Sequence, residues 1–228
     1  MTTREQFIGT VRKALGRSEL PAAPVPLAYR HTVHTDVMKG SDQHELARVF
    51  MDRSKEIGAN VFETTKERLN DTIRQAIEQC RPGAVIAAND PLLKELGPAL
   101  ASATNRMVRF WNAGAPREEM VRFAEEAAVG IAVAKLALAE SATVLFFSHE
   151  GCGRSVTLLP ESNVYIIPKS LIRPRLTQGM AFVRKHKDHL PSSVNFVSGP
   201  SATSDIELVR VVGVHGPVRI SHIVVHDM

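Results

Sequence analysis

From Asp42 onward the chain repeats one unit: a helix-length amphipathic stretch followed by a short apolar run. In the first cycle Leu46, Val49, Phe50 and Ile57 recur at helical spacing, Gly58 closes the helix, and residues 60–63 read as a buried strand. In the second, Leu69, Ile73 and Ile77 mark a helix over 66–79, Pro82 and Gly83 turn the chain, and 84–88 form a strand. A helix over 91–103, a strand over 107–111 and a helix over 117–127 continue the series. Strands separated by whole helices must run parallel, because only a crossover returns the chain to the same end of a sheet. The fold class is therefore α/β, a mainly parallel sheet flanked by helices.

After residue 128 the strands crowd together. Residues 129–134 and 143–148 are both strand-like and lie on either side of Glu140-Ser141-Ala142, which predicts a hairpin. Further strands are expected at 164–167, 194–197, 208–212 and 223–226, with a helix between Ser170 and Lys187. At the other end Thr3 and Gln6 are spaced as a capping box, and Phe7, Val11 and Leu15 give the helix one apolar face. Gly16 ends it. Pro21, Pro24 and Pro26 then make 16–40 an extended arm that wraps the core or reaches a neighbour. Residues 1–40 are thus an appendage, and 41–228 the α/β domain.

Composition narrows function by exclusion. No apolar run approaches the ~20 residues that span a bilayer, and the first residues lack the apolar core of a secretory signal, so a cytoplasmic protein without a membrane span is expected. A net charge of +4 with only 5% aromatic residues, and no basic run interleaved with rings, speaks against nucleic acid as a partner. The cysteines are Cys80 and Cys152. An iron–sulfur cluster takes about four thiolates, so this chain is expected to bind no cluster or other cofactor by itself. Cys80 falls on the apolar face with Leu69, Ile73 and Ile77, which argues against a disulfide.

The richest stretch runs from Phe196 to Glu207. An apolar strand enters Gly199-Pro200, and Ser201, Thr203 and Ser204 then bring hydroxyls to an expected helix start, the physics of a cradle for a small anionic ligand. The competing reading is an ordinary connection with a capping hydroxyl. Asp205 and Glu207 would stabilise the helix from behind the cradle. Gly213 and Gly216 allow close backbone approach around His215, a possible acid or base. Upstream, the loop 149–154 ends on Arg154, whose guanidinium can fork an anion. Its glycines lack the spacing of a dinucleotide or triphosphate loop. Cys152 is expected to be a plain exposed thiol, and His186 and His189 to be solvated.

The segment 199–207 with 213–217 resembles the C-terminal signature of the LUD family, in which Gly-Pro-Ser-x-Thr-x-Asp-Ile-Glu precedes a short strand and Gly-Val-His-Gly-Pro. Ala139 to Thr143, Arg154 and Leu158-Leu159-Pro160 stand where that family has an Ala-Glu-Thr-Gly-Thr turn, an Arg and a Leu-Leu-Pro segment. The likeness implies a fold similar to glucosamine-6-phosphate deaminase, ribose-5-phosphate isomerase and the CoA transferases. It also implies a place in L-lactate utilisation beside two iron–sulfur proteins that carry the clusters. Ser141-Ala142 replaces the family's Thr-Gly, which puts a side chain where glycine is usual. Fold relatives among the CoA transferases use a glutamate at a comparable turn as nucleophile, which would make Glu140 catalytic; a structural role, capping or pairing with Arg154, is the alternative. Three classes follow: a cluster-free component of a lactate-oxidising system, a transferase or isomerase acting on a phosphorylated or CoA-linked molecule, and a regulatory anion-binding module.

Overall fold

The computed structural model describes residues 3–17, 28–205 and 207–228. Contacts divide the chain into two units, one ending at Val33 and one running from His34 to Met228. The first contains α1 (Arg4–Ala14), whose expected capping box is formed: Thr3 Oγ1 accepts from Gln6 N at 3.2 Å, and Thr3 N donates to Gln6 Oε1 at 2.9 Å. Pro21, Pro24 and Pro26 of the expected arm lie outside the described residues.

A short α2 (Val33–Asp36) precedes the alternating elements of the second unit: α3 (Gln43–Glu56), β1 (Asn60–Thr64), α4 (Leu69–Glu78), β2 (Val85–Ala87), α5 (Pro91–Thr104), β3 (Val108–Phe110), α6 (Arg117–Glu126) and β4 (Val129–Val133). Side chains start two of the helices. Asp42 accepts from His44 N and Glu45 N at 2.8 Å, and these backbone donors hold its carboxyl below the usual range. Asp90 accepts from Leu92 N at 3.0 Å, with Pro91 in the first turn of α5. The strands join β7 (Ser162–Pro168) and β12 (Arg219–Val225) in one six-stranded parallel sheet of order β1-β12-β7-β4-β2-β3. β7, near its centre, is buried along its whole length. β1 is the exception to expectation: at the sheet's edge with β12 as its neighbour, it is half exposed.

The remaining elements are β5 (Leu136–Leu138), β6 (Thr143–Phe147), α7 (Arg154–Leu158), β8 (Ile172–Arg173), α8 (Leu176–Lys185), β9 (Val194–Ser198), β10 (Ala202–Thr203) and β11 (Val211–Val212). The hairpin expected between 129–134 and 143–148 is not formed by those two strands. β4 belongs to the parallel sheet, and β6 pairs antiparallel with β5 in a second sheet of order β8-β5-β6-β9. Leu136, Ala137 and Leu138 are buried, and so short an apolar run gives no periodicity to read beforehand. The turn itself was placed correctly, with Ala142 at φ +48°.

The two faces of the parallel sheet are covered differently. His222 and Tyr165 are register partners on one face, where they meet Ser54 of α3, Thr157 of α7 and Phe146 of the second sheet. Thr64 and Val225 are register partners on the other, where Thr64 meets Thr72 of α4. α7 is antiparallel to the strands beneath it, running from the carboxyl end of β2 to the amino ends of β4 and β7. Asn89 N donates to Gly151 O just before α7, and Asn163 Nδ2 and Tyr165 Oη donate to Thr157 O near its end.

Candidate functional site

The two halves of the C-terminal motif do come together, at the amino ends of β7 and β12. Ser201 N donates to Pro217 O at 2.9 Å, Gly213 N to Ser201 O at 2.8 Å, and Val218 N to Glu161 O at 2.8 Å. Gly199 lies at φ +65° against Ile57, where a Cβ would be 2.9 Å from Cδ1. Gly216 lies over Ser201, and a Cβ there would be 3.2 Å from the serine's own. These glycines serve backbone packing.

The helix expected after Ser204 is not formed. Among the described residues, 199–218 make a small antiparallel hairpin of β10 and β11, so a cradle of helix-start amides has no basis there. Thr203 donates to Asp205 Oδ2 at 2.7 Å and accepts from Asp205 N, which occupies its hydroxyl and gives Asp205 a turn-stabilising role. Ser204, Glu207 and His215 are exposed. Glu207 and Leu208 turn at φ +53° and +59°, and Leu208 is 91% exposed. The apolar run 208–212 thus supplies only a two-residue strand.

Arg154 stands at the opposite end of the sheet. It begins α7 over the carboxyl ends of β2 and β3, and the structure does not bring it to Ser201 or His215. It borders a cleft of about 570 Å³ together with Trp111, Arg117, Ser148 and His149. This is where open α/β sheets bind ligands, because loops diverge beyond the carboxyl ends of parallel strands. Trp111 follows β3 and stays tied to the ladder by its N–H to Ala87 O at 2.8 Å. Gly153 lets the next loop close on the indole, since a Cβ there would be 2.2 Å from Trp111 Cζ2. Sequence motifs lead to Arg154 and its loop but not to Trp111 and Arg117, which lie far from any motif.

The cleft is electropositive. Among the described residues neither Arg117 nor Arg154 has an ion-pair partner, and Glu150 is the carboxylate on the wall. His149 Nδ1 accepts from Gly151 N at 3.0 Å, which leaves the proton on Nε2. Loss of hydration and then the charge of Lys135 hold this imidazole below its ordinary range, so it is a neutral donor near pH 7. Ser148 Oγ is buried without a partner among the described residues. Cys152, expected to be exposed, is 7% exposed, and burial pushes its thiol up to about 11, which makes it a poor nucleophile. Its backbone bonds to His149 in both directions fold it inward. Likewise His186 is half-buried, its Nδ1 3.0 Å from Phe182 O and its ring edge-on to Phe147.

Glu140 is elsewhere, at the β5–β6 turn. Arg175 Nε donates to Glu140 Oε2 at 2.7 Å, so its partner is Arg175 and not Arg154. The ion pair engages one carboxylate oxygen, which fits the structural reading of Glu140. Ser141, Thr143 and Ser198 form a hydroxyl cluster below the turn.

The family profile described as LUD domain matches residues 47–225. The chain is 37% identical over 231 residues to a lactate utilization protein C of Exiguobacterium sp., spanning 100% of this chain and 98% of the relative. It is 39% identical to lactate utilization protein C 1 of Bacillus mycoides, spanning 98% and 97%. Among solved structures, a DUF162 family protein from Deinococcus radiodurans superposes with a TM-score of 0.59 at 19% identity, covering 81% of this chain and 99% of that one, which supports the fold.

Proposed function

Because the chain belongs to the LUD domain family, we propose that it is the cluster-free component of a cytoplasmic L-lactate utilisation system, acting beside iron–sulfur proteins, with an anion site at the Arg154 cleft. The observation that carries the reading is similarity to relatives named for lactate utilisation that spans 98–100% of this chain and 97–98% of each relative. The cysteine content fits a division of labour. Cys80 and Cys152 are both buried, and four thiolates are not available on one chain. No helix among the described residues is long and apolar enough to cross a membrane.

Reconstitution tests this. The purified chain should show no cluster absorbance and no oxidation of L-lactate to pyruvate by itself. Mixed with cysteine-rich partners encoded beside it, it should support lactate-dependent dye reduction, and omitting it should abolish the reaction. Lactate oxidation by the chain alone, or full activity without it, would overturn the proposal.

A further inference from the structure

The cleft has an apolar wall as well as a cationic rim, and the combination restricts the ligand more than charge alone. Trp111 is half-buried: one side of the indole rests on the Gly153 backbone, and the rest borders the cavity with Ala113, Met120 and Val121. Arg117 and Arg154 start two different helices, α6 and α7, and both border the same space. His149 Nε2–H adds a neutral donor, and Ser148 lines the wall beside it.

At about 570 Å³ the cleft falls within the roughly 300–1,000 Å³ that encloses a drug-sized ligand. An acid of lactate's size would fill a small part of it and leave the indole uncovered. A half-buried indole on the wall beside guanidinium forks suits a flat ring joined to an anion, through stacking on one part and bidentate hydrogen bonds on the other. The loop 149–154 lacks the glycine spacing that cradles a triphosphate or a pyrophosphate, which favours a single phosphate group.

The geometry points to a mononucleotide-class ligand, a heteroaromatic ring on Trp111 carrying one phosphate ester between Arg117 and Arg154. This rests on the cleft being the anion site, as proposed above. No chemical step is assigned to the ligand; the structure describes a place to hold it.

Trp111 is the sole tryptophan of the chain, so its emission reports the site directly. The full chain is titrated with adenosine monophosphate and with flavin mononucleotide, corrected against free tryptophan, and in parallel with L-lactate, pyruvate and inorganic phosphate. One of the two nucleotides should change the emission saturably, while the small anions leave it unchanged over the same range. Arg154→Ala and Arg117→Ala should each weaken that binding about tenfold or more, and Arg154→Lys, which keeps charge but loses the fork, should weaken it less. Circular dichroism should show all three variants folded. If lactate or pyruvate saturates the signal as well as a nucleotide does, the anion site stands and the mononucleotide inference fails. No Arg154-dependent response to any of the five probes removes both, whereas the lactate-utilisation role is judged separately by the reconstitution.

Discussion

The two ends of the parallel sheet differ in how they are built and in how clearly the sequence marks them. At the amino end, a dense run of glycine, proline and hydroxyl residues is spent on folding a hairpin, and its polar groups bond to one another. At the carboxyl end, residues scattered from Trp111 to Arg154 place a ring, and two guanidiniums with no ion-pair partner among the described residues, around a cavity. Motif density reports constrained backbone, which need not coincide with free chemical groups.

Both ends hang on one core, and the largest expected effect tests that shared support. Ser54 Oγ donates to Phe50 O, so His222 Nδ1 must carry the proton that bonds Ser54, leaving Nε2 buried without a partner among the described residues. Burial holds this imidazole down to about 3, against 6.5 ordinarily. Between those values the unfolded chain takes up a proton that the folded chain refuses, so stability rises with pH and is lost as pH falls from 6.5 toward 3. The loss approaches about 5 kcal/mol at the lower limit. Chemical denaturation at pH 7 and pH 4.5 should show the slope, and His222→Gln should flatten it; an unchanged slope in the variant would refute the assignment.

Next in size are the glycines that close each end. Gly153→Ala should cost about 1–3 kcal/mol and shift Trp111 emission, because the new methyl collides with the indole. Gly213→Ala, at φ +86° against Val218, should cost about 1–2 kcal/mol and leave the emission alone. If both variants shift the emission equally, the two ends are not independent.

At the β5–β6 turn the expected effect is smaller and opposite in sign. Ala142→Gly should raise stability by up to about 1 kcal/mol in thermal denaturation, since Ala142 sits at φ +48° where a side chain is strained. A loss would mean that the buried methyl matters more than the backbone conformation. Smallest of all, His215→Ala should change stability by less than about 0.5 kcal/mol, because the ring is exposed and makes no hydrogen bond among the described residues. A larger loss in the same measurement would show that the hairpin depends on it.

How much was legible follows from the same contrast. The helices from α3 to α6 and the parallel sheet were readable because Leu69, Ile73 and Ile77, and their counterparts in each cycle, repeat with a period that only a helix satisfies. β5 was not, because three apolar residues carry no period. The helix start expected after Ser204 failed on long-range pairing: β10 meets β11 across a turn that local spacing does not reveal. Arg154 was found through its glycine loop, whereas Arg117 looks in sequence like any first-turn residue of a surface helix. It comes to face the Arg154 cleft only where α6 and α7 meet.

The proposed ligand end of the sheet is the cleft and not the hairpin. The most direct test is amide and indole chemical-shift mapping of the nitrogen-labelled chain during titration with adenosine monophosphate. The single indole N–H of Trp111 and the amides of Gly151 and Gly153 should shift together and saturably, while those of Ser201, Gly213 and Gly216 should stay in place. Shifts confined to the hairpin amides, with the indole signal unmoved, would contradict it.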